Sequence, residues 1–346
     1  MAAALIPMWS EARAIRAALL LGSLWVAGIA SAHHSALMFD RESVVAFQGT
    51  VTAFDWTNPH VYIIVETENT AGETVSWEIE TDATPILVRS GWSETSLQPG
   101  DVVAIRANPE RDTARLHALL VSVTREDGKV LAARSNFLRR AEPGGDAATS
   151  LEGNWELGFQ DYLAFAQGSA AVPTESAAQA QAAYDVKLDS PEAQCIALPS
   201  PGIIAAPYLN QIEVLDDRVL IRNERFEVER EIFTDGRDYP PDGERSNQGY
   251  SIGRWEGETL VVETHLFEAH RSQFLGSGLP SGPEKRVIER YVLSEDGTFL
   301  TVDYEHEDPG SLAEPFTGTL RWYYAPHFDY LGFNCDVDVS RRYSEG

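Results

Sequence analysis

Residues Gln211 to Gly236 read QIEVLDDRVLIRNERFEVEREIFTDG, and the fold class turns on how they are parsed. Three runs rich in β-branched residues are separated by two turn candidates, Asp216-Asp217 and Asn223-Glu224. Apolar and polar residues alternate along each run, the pattern of half-buried strands joined by short turns. Towards the C-terminus, SIGRWEGETLVVETHLF, KRVIERYVLSEDGTFLTVDYEHEDPG and FTGTLRWYYA continue the rhythm, with Glu256-Gly257 and Asp296-Gly297 as hairpin turns. Eight or more strands in up-and-down order predict a larger antiparallel β-barrel or a curled meander sheet. Just before them, Thr174 is a cap candidate for one short helix from about Glu175 to Tyr184.

The N-terminal half carries a second β pattern. VVAFQGTVTAF, HVYIIVET, TVSWEIET, DVVAIRAN and LHALLVSVT are strand-like, and ATPILVRSG between the third and fourth is helical in character. Five strands with one helix after the third describe an OB-like small barrel. The polar, Gly/Pro-bearing RRAEPGGDAATS suits a linker. The expected organisation is all-β: an OB-like barrel over residues 33–138, a linker over 139–150, and a lipocalin-like antiparallel barrel over 151–346.

Residues 1–32 read as a signal peptide. Arg13 and Arg16 precede the apolar run Ala17–Ala30, and Ala30-Ser31-Ala32 fits the small-x-small rule for cleavage. The expected location is therefore periplasmic or secreted, with no transmembrane segment in the mature chain. With 53 acidic against 27 basic residues and a net charge of −26, the surface repels phosphate backbones, which excludes a nucleic-acid partner. In an oxidising compartment the only two cysteines, Cys195 and Cys335, are read first as one disulfide. Neither a G-x-G-x-x-G nor a P-loop sequence occurs, so no nucleotide cofactor is expected.

Two groups of residues carry candidate chemistry. Cleavage after Ala32 would leave His33 leading the chain, where its amine, with a reference pKa of ~7.7–8.0, and its ring can chelate one ion. His60 is the best third nitrogen of a copper site, with His34 as competitor. In the second half, Val261, Glu263, His265 and Phe267 share one strand face, and Leu260, Val262, Thr264 and Leu266 the other. Both faces are apolar at their ends, which makes Glu263 and His265 candidates for a protected interior. Glu289 and Arg290 lie on opposite faces of RVIERYVL, so one of them faces the more buried side. Glu263, His265, Glu289 and Arg290 form a candidate acid–base set, with Arg230 or Arg321 as alternative charge partners; the same set also reads as a structural ion-pair network. Asp235 and Arg237 in a turn-rich loop, with Trp255, Trp322 and Tyr324, are candidate ligand contacts.

AHHS, GTVTAFDWTNPHVYIIVE, WEIET, RSGW and LQPGDVV resemble a family of exported bacterial proteins classed as a domain of unknown function. DGRDYP, GYSIGRWEGETLVVET and VIERY resemble a second uncharacterised exported domain, and GNW is similar to the Gly-x-Trp start of lipocalin-type barrels. The resemblance implies export and a β-rich fold, and supplies no activity or catalytic residue. The expected function is a soluble periplasmic binding protein with a copper site at its mature N-terminus and a barrel pocket for a small apolar ligand. The alternative is a cofactor-independent hydratase, isomerase or hydrolase using the second barrel. A third reading makes the chain an envelope interaction module with an unidentified protein partner.

Overall fold

The computed structural model describes residues 38–133, 146–167, 171–274 and 276–342. The segment 1–32 expected to be a signal peptide, His33, His34 and residues 139–145 of the expected linker lie outside the described residues.

The first barrel is built by β1 (Val45–Asp55), β2 (Tyr62–Glu68), β3 (Thr74–Glu80), α1 (Thr84–Arg89), β4 (Val102–Pro109), β5 (His117–Arg125) and β6 (Val130–Ala132). Strand order β3-β2-β1-β4-β5 closes through a parallel β3–β5 pairing, giving the five-stranded barrel the sequence predicts, and β6 extends β5. Ile63, Val65, Ile79, Leu87, Val103 and Ile105 form its core. The close pairing of β1 with β2 depends on Gly49, because a Cβ there would collide with the carbonyl oxygen of Glu66 on β2. Helix α1 falls between the third and fourth strands as expected. Its first residue offers an N–H that Ala83 cannot cap, and Asn58 Oδ1 accepts it at 2.8 Å.

The second barrel follows through β7 (Gly153–Leu157), α2 (Phe159–Gln167), α3 (Glu175–Ala182), α4 (Val186–Asp189), β8 (Leu209–Val214), β9 (Arg218–Asn223), β10 (Val228–Phe233), β11 (Tyr250–Glu256), β12 (Thr259–His265), β13 (Arg286–Leu293), β14 (Phe299–Glu307) and β15 (Phe316–Tyr324), and α5 (Val337–Ser340) comes last. Strands β7 to β15 close into a nine-stranded barrel. Turns fall at the expected Asp216-Asp217, Glu256-Gly257 and Asp296-Gly297; Gly257 and Gly297 take φ of +64° and +69°, which side chains resist. One pairing departs from the antiparallel pattern: β10 and β11 run parallel at Ile232↔Ser251 and Phe233↔Ile252. The long connection 234–249 supplies the crossover that parallel neighbours require. Helix α3 starts where the sequence places it, with the Thr174 side chain accepting from Ala177 N. Helix α2 has no such signal and is held by packing: Phe165 meets the rings of Phe274, Tyr304 and Phe316. No described helix is long and apolar enough to cross a membrane.

The two barrels interlock. Arg89 at the end of α1 forms a two-pronged pair with Glu224 between β9 and β10, both carboxylate oxygens engaged and both side chains buried. Asn58 bonds Phe333 O through Nδ2, and its own carbonyl accepts from Asp336 N at 2.9 Å. Arg342 reaches Glu78 at 2.7 Å and Asp55 at 3.3 Å while lying over the Tyr62 ring. Cys195 and Cys335 are bonded to one another, so the segment touching Asn58 is tied to the loop that enters the second barrel.

Candidate functional site inside the large barrel

The interior of the second barrel is apolar at one end and polar at the other. Burial alternates strictly on β14, where Leu300, Val302, Tyr304 and His306 are buried, and on β13, where Val287, Glu289 and Tyr291 are. On β12 the inward residues are Leu260, Val262 and Thr264. Trp155, Trp322 and Leu260 belong to the apolar end. Residues 197–206 are all buried and run into the barrel as a plug. A buried loop must have its carbonyls satisfied. Asn247 Nδ2 donates to Ala197 O, Gln248 Nε2 to Leu198 O, and Trp322 Nε1 to Ile204 O.

Glu289 organises the polar end. Arg230 donates to its two oxygens at 3.0 and 2.8 Å, Tyr291 OH at 3.1 Å, and the Ser200 hydroxyl of the plug completes the set. Arg230 also reaches Thr264 Oγ1 at 3.3 Å, which pairs with Ser251 at 2.9 Å. A buried charge is tolerated only when paired and hydrogen-bonded in this way. Burial opposes the charge of Arg230, and Glu289 and Tyr291 outweigh it, raising the guanidinium pKa.

Beside this satisfied pair stand groups that are not satisfied. The connection between β12 and β13 folds back on itself, with His270 and Ser281 exchanging backbone bonds, and delivers Lys285 to the interior, 1 % exposed. Among the described residues Lys285 Nζ has no hydrogen-bond partner, and it lies 4.9 Å from the centroid of the Phe267 ring. Burial pushes the ammonium down to about 7 against the opposing pull of Asp308 and Glu289, with Arg230 adding a smaller repulsion. His306 is 0 % exposed and neither ring nitrogen has a hydrogen-bond partner among the described residues; burial, then the Lys285 charge, hold its pKa well below the usual range. His270 is pushed down to about 4 by the same two causes, and its Nδ1 accepts from Ser272 N at 3.2 Å. Asp308 accepts from Gly282 N through Oδ2, and its Oδ1 has no hydrogen-bond partner among the described residues; burial raises its pKa. The aromatic wall beside these groups is Phe274, 6.0 Å from His306, packed on Phe316 and Phe165. Buried polar atoms in folded proteins are nearly always satisfied, so this concentration at one end of a barrel marks it as a site.

The sequence-derived candidates fall elsewhere or play other parts. Of the acid–base set, only Glu289 faces inward. Glu263 and His265 lie on the outer face, paired at 2.9 Å, with Arg286 at 2.7 Å from Glu263 and the Tyr239 ring against His265. Arg286, first, and His265 lower the Glu263 pKa against burial. The interior expected for Glu263 and His265 is therefore corrected: the register Val262↔Glu289 puts Thr264, not its neighbours, on the inner face. Arg290 is outside too, bonded to Glu256 at 2.6 Å. The barrel wall separates the four residues. Asp235 and Arg237 pair with each other at the surface, Arg237 covering the Phe233 ring at 3.9 Å. Trp255 is an exposed outward residue, Trp322 is core, and Tyr324 packs on Trp155. Lys285, His270, His306 and Asp308 were missed by sequence reasoning. His306 alone carried a signal, since it continues the buried series Leu300, Val302, Tyr304.

In the small barrel, His60 Nδ1 sits 2.7 Å from Glu80 Oε1 and 3.2 Å from Thr81 O, with the side chain about one-third exposed. Glu80 extends to His117 at 3.6 Å, and His117 Nδ1 to Glu110 at 2.9 Å. His60 and His117 draw the Glu80 carboxyl down to about 2 despite its burial. Among the described residues no group of three or more His, Cys, Asp or Glu is arranged to hold a metal ion.

Residues 22–118 are similar to a family of unknown function, DUF6152. The matched segment takes in His60, Glu80, Asn58 and Arg89 and ends at the start of β5. No curated protein matches the chain.

Proposed function

We propose that the protein is an exported carrier of a small, mostly apolar molecule, held in the nine-stranded barrel with its polar group at the Lys285–His306 end. The observation that supports this reading is the pair of unpartnered buried groups, Lys285 Nζ and the His306 ring, set against an aromatic wall. A ligand polar atom there would satisfy donors that no described side chain reaches. The scattered positions of Glu263, His265, Glu289 and Arg290 give no support to an acid–base enzyme built from that set. The test is native mass spectrometry of protein purified from its producing cells, alongside Lys285→Met and His306→Leu variants. A co-purified small molecule lost in both variants is the expected result. Wild-type protein that carries nothing, and that shows no change in the fluorescence of Trp155 and Trp322 with aromatic alcohols or acids, refutes the carrier reading.

A separate observation favours a copper site at His60. Metal-binding histidines characteristically give their second ring nitrogen to a carboxylate or backbone carbonyl, and at His60 Nδ1 the Thr81 carbonyl takes the hydrogen bond with Glu80 Oε1 beside it at 2.7 Å, leaving Nε2 free to bind metal. His33, if it leads the processed chain, would contribute the amine and a second ring nitrogen. Cu(II) titration of protein beginning at His33 should show tight binding that His60→Ala abolishes and Glu80→Gln weakens roughly 10–100-fold. Equal affinity in His60→Ala would remove the site.

A further inference from the structure

We propose that the guest of the large barrel is a carbonyl compound, an aldehyde or ketone with an apolar body, which Lys285 holds as an imine. The inference rests on the barrel being a small-molecule site and names the chemistry of what it takes. An amine forms imines when it is unprotonated, unpaired and shielded from water. Lys285 meets the last two conditions by geometry: it is 1 % exposed, makes no hydrogen bond or ion pair with the described residues, and rests against the face of Phe267.

The choice of residue points the same way. Lysine occurs only at Lys129, Lys187 and Lys285 among the 27 basic residues. The buried structural cations, Arg89 and Arg230, are arginines, each two-pronged on a carboxylate. Arginine suits that task and never sheds its proton, whereas lysine loses it readily when buried. At position 285 the chain has the cation that can become a nucleophile. Asp308 and Glu289 hold its proton and Arg230 opposes them, while its own charge faces His270 and His306 and lowers their pKa values. Glu289 is already committed to Arg230, Ser200 and Tyr291, and burial outweighs Asp308, so neutral amine is populated near pH 7.

The step balances without any redox partner. Nζ attacks the carbonyl carbon, a C–N bond forms, and the carbonyl oxygen takes a proton to give the carbinolamine. Breaking the C–O bond then releases water and leaves the imine. Both protons that leave with the oxygen as water come from Nζ, and Asp308 Oδ1 and the His306 ring, which have no hydrogen-bond partner among the described residues, are the groups able to carry them across.

The experiment uses the full chain at pH 7 with trans-cinnamaldehyde, followed by sodium borohydride and peptide mass mapping. One reduced adduct on Lys285 is expected, at least about tenfold faster than on Lys129, because an ordinary lysine is almost wholly protonated at that pH. Lys285→Arg should lose the adduct, although the wild-type map alone decides the matter. Calorimetry with cinnamyl alcohol, which has no carbonyl, separates the two layers of argument. Binding of the alcohol with no adduct on Lys285, or with adducts spread evenly over all amines, overturns the imine and leaves the carrier reading standing. No binding and no adduct overturns both.

Discussion

Replacing Arg89 with methionine removes half of the ion pair that joins the two barrels. Glu224 is 0 % exposed and accepts from both guanidinium nitrogens, from Leu209 N at 3.2 Å and from Leu331 N at 2.8 Å. The variant would keep that carboxylate buried with two backbone donors and no cation. An uncompensated buried charge costs about 3–5 kcal/mol. The Asp329 carbonyl also loses a charged donor at 3.1 Å, worth about 1 kcal/mol more. A surface pair such as Arg254–Glu256 stays in water and is screened by it, so its removal should leave stability nearly unchanged and the two cases are well separated. The assay is equilibrium urea unfolding followed by tryptophan fluorescence, urea being chosen because it does not screen charge. Arg89→Met should lose about 4–6 kcal/mol, and the R89M/E224Q double variant should lose clearly less than the two single losses added together. A loss below about 1 kcal/mol for the single variant, or strict additivity in the double, would refute the claim that a desolvated ion pair clamps the barrels.

Other consequences follow from particular residues. The Lys285 ammonium, lowered to about 7 in the folded chain, titrates near its ordinary value when unfolded, so the unfolded state binds more protons between those limits. Wild-type stability should therefore rise from pH 7 to pH 10 relative to Lys285→Met, as read by urea midpoints; parallel curves would contradict the burial of the charge. Reducing Cys195–Cys335, which spans 140 residues, should cost roughly 4–5 kcal/mol on the loop-entropy argument, measured by unfolding with and without a reductant. Gly49→Ala should cost at least about 1–3 kcal/mol, because its methyl would collide with the Glu66 backbone rather than with a movable side chain. An unchanged melting profile for that variant would mean that β1 and β2 can separate without penalty.

Much of the fold is written locally. Alternation along Gln211–Gly236 and its neighbours identifies strands, Asp216-Asp217, Glu256-Gly257 and Asp296-Gly297 identify the turns, and Thr174 marks the start of α3. These are short-range effects, settled by side-chain period and backbone preference within a few residues. The pairing of Cys195 with Cys335 was also legible, since no other cysteine competes. Closure was only partly so: nine strands could curl or shut, and neither the β15–β7 pairing that shuts them nor the parallel β10–β11 pairing across 234–249 has a local signal.

The site lay further beyond reach. Along β12 both faces are apolar, so period alone left open whether Glu263 or Thr264 points inward, and only the register with Glu289 decides it. Lys285 opens the run KRVIERYVL between the charged Glu284 and Arg286, where no local pattern marks it as buried, and it becomes buried because the fold-back at His270 and Ser281 carries it to the barrel end. Arg89 lies in ATPILVRSG, where sequence shows only helical character, and its partner Glu224 is 135 residues away. Sequence by itself determined which segments are strands and which residue types were available for chemistry. Tertiary structure alone decided which of them lost their water, because desolvation is a property of every neighbour at once and no local pattern encodes it.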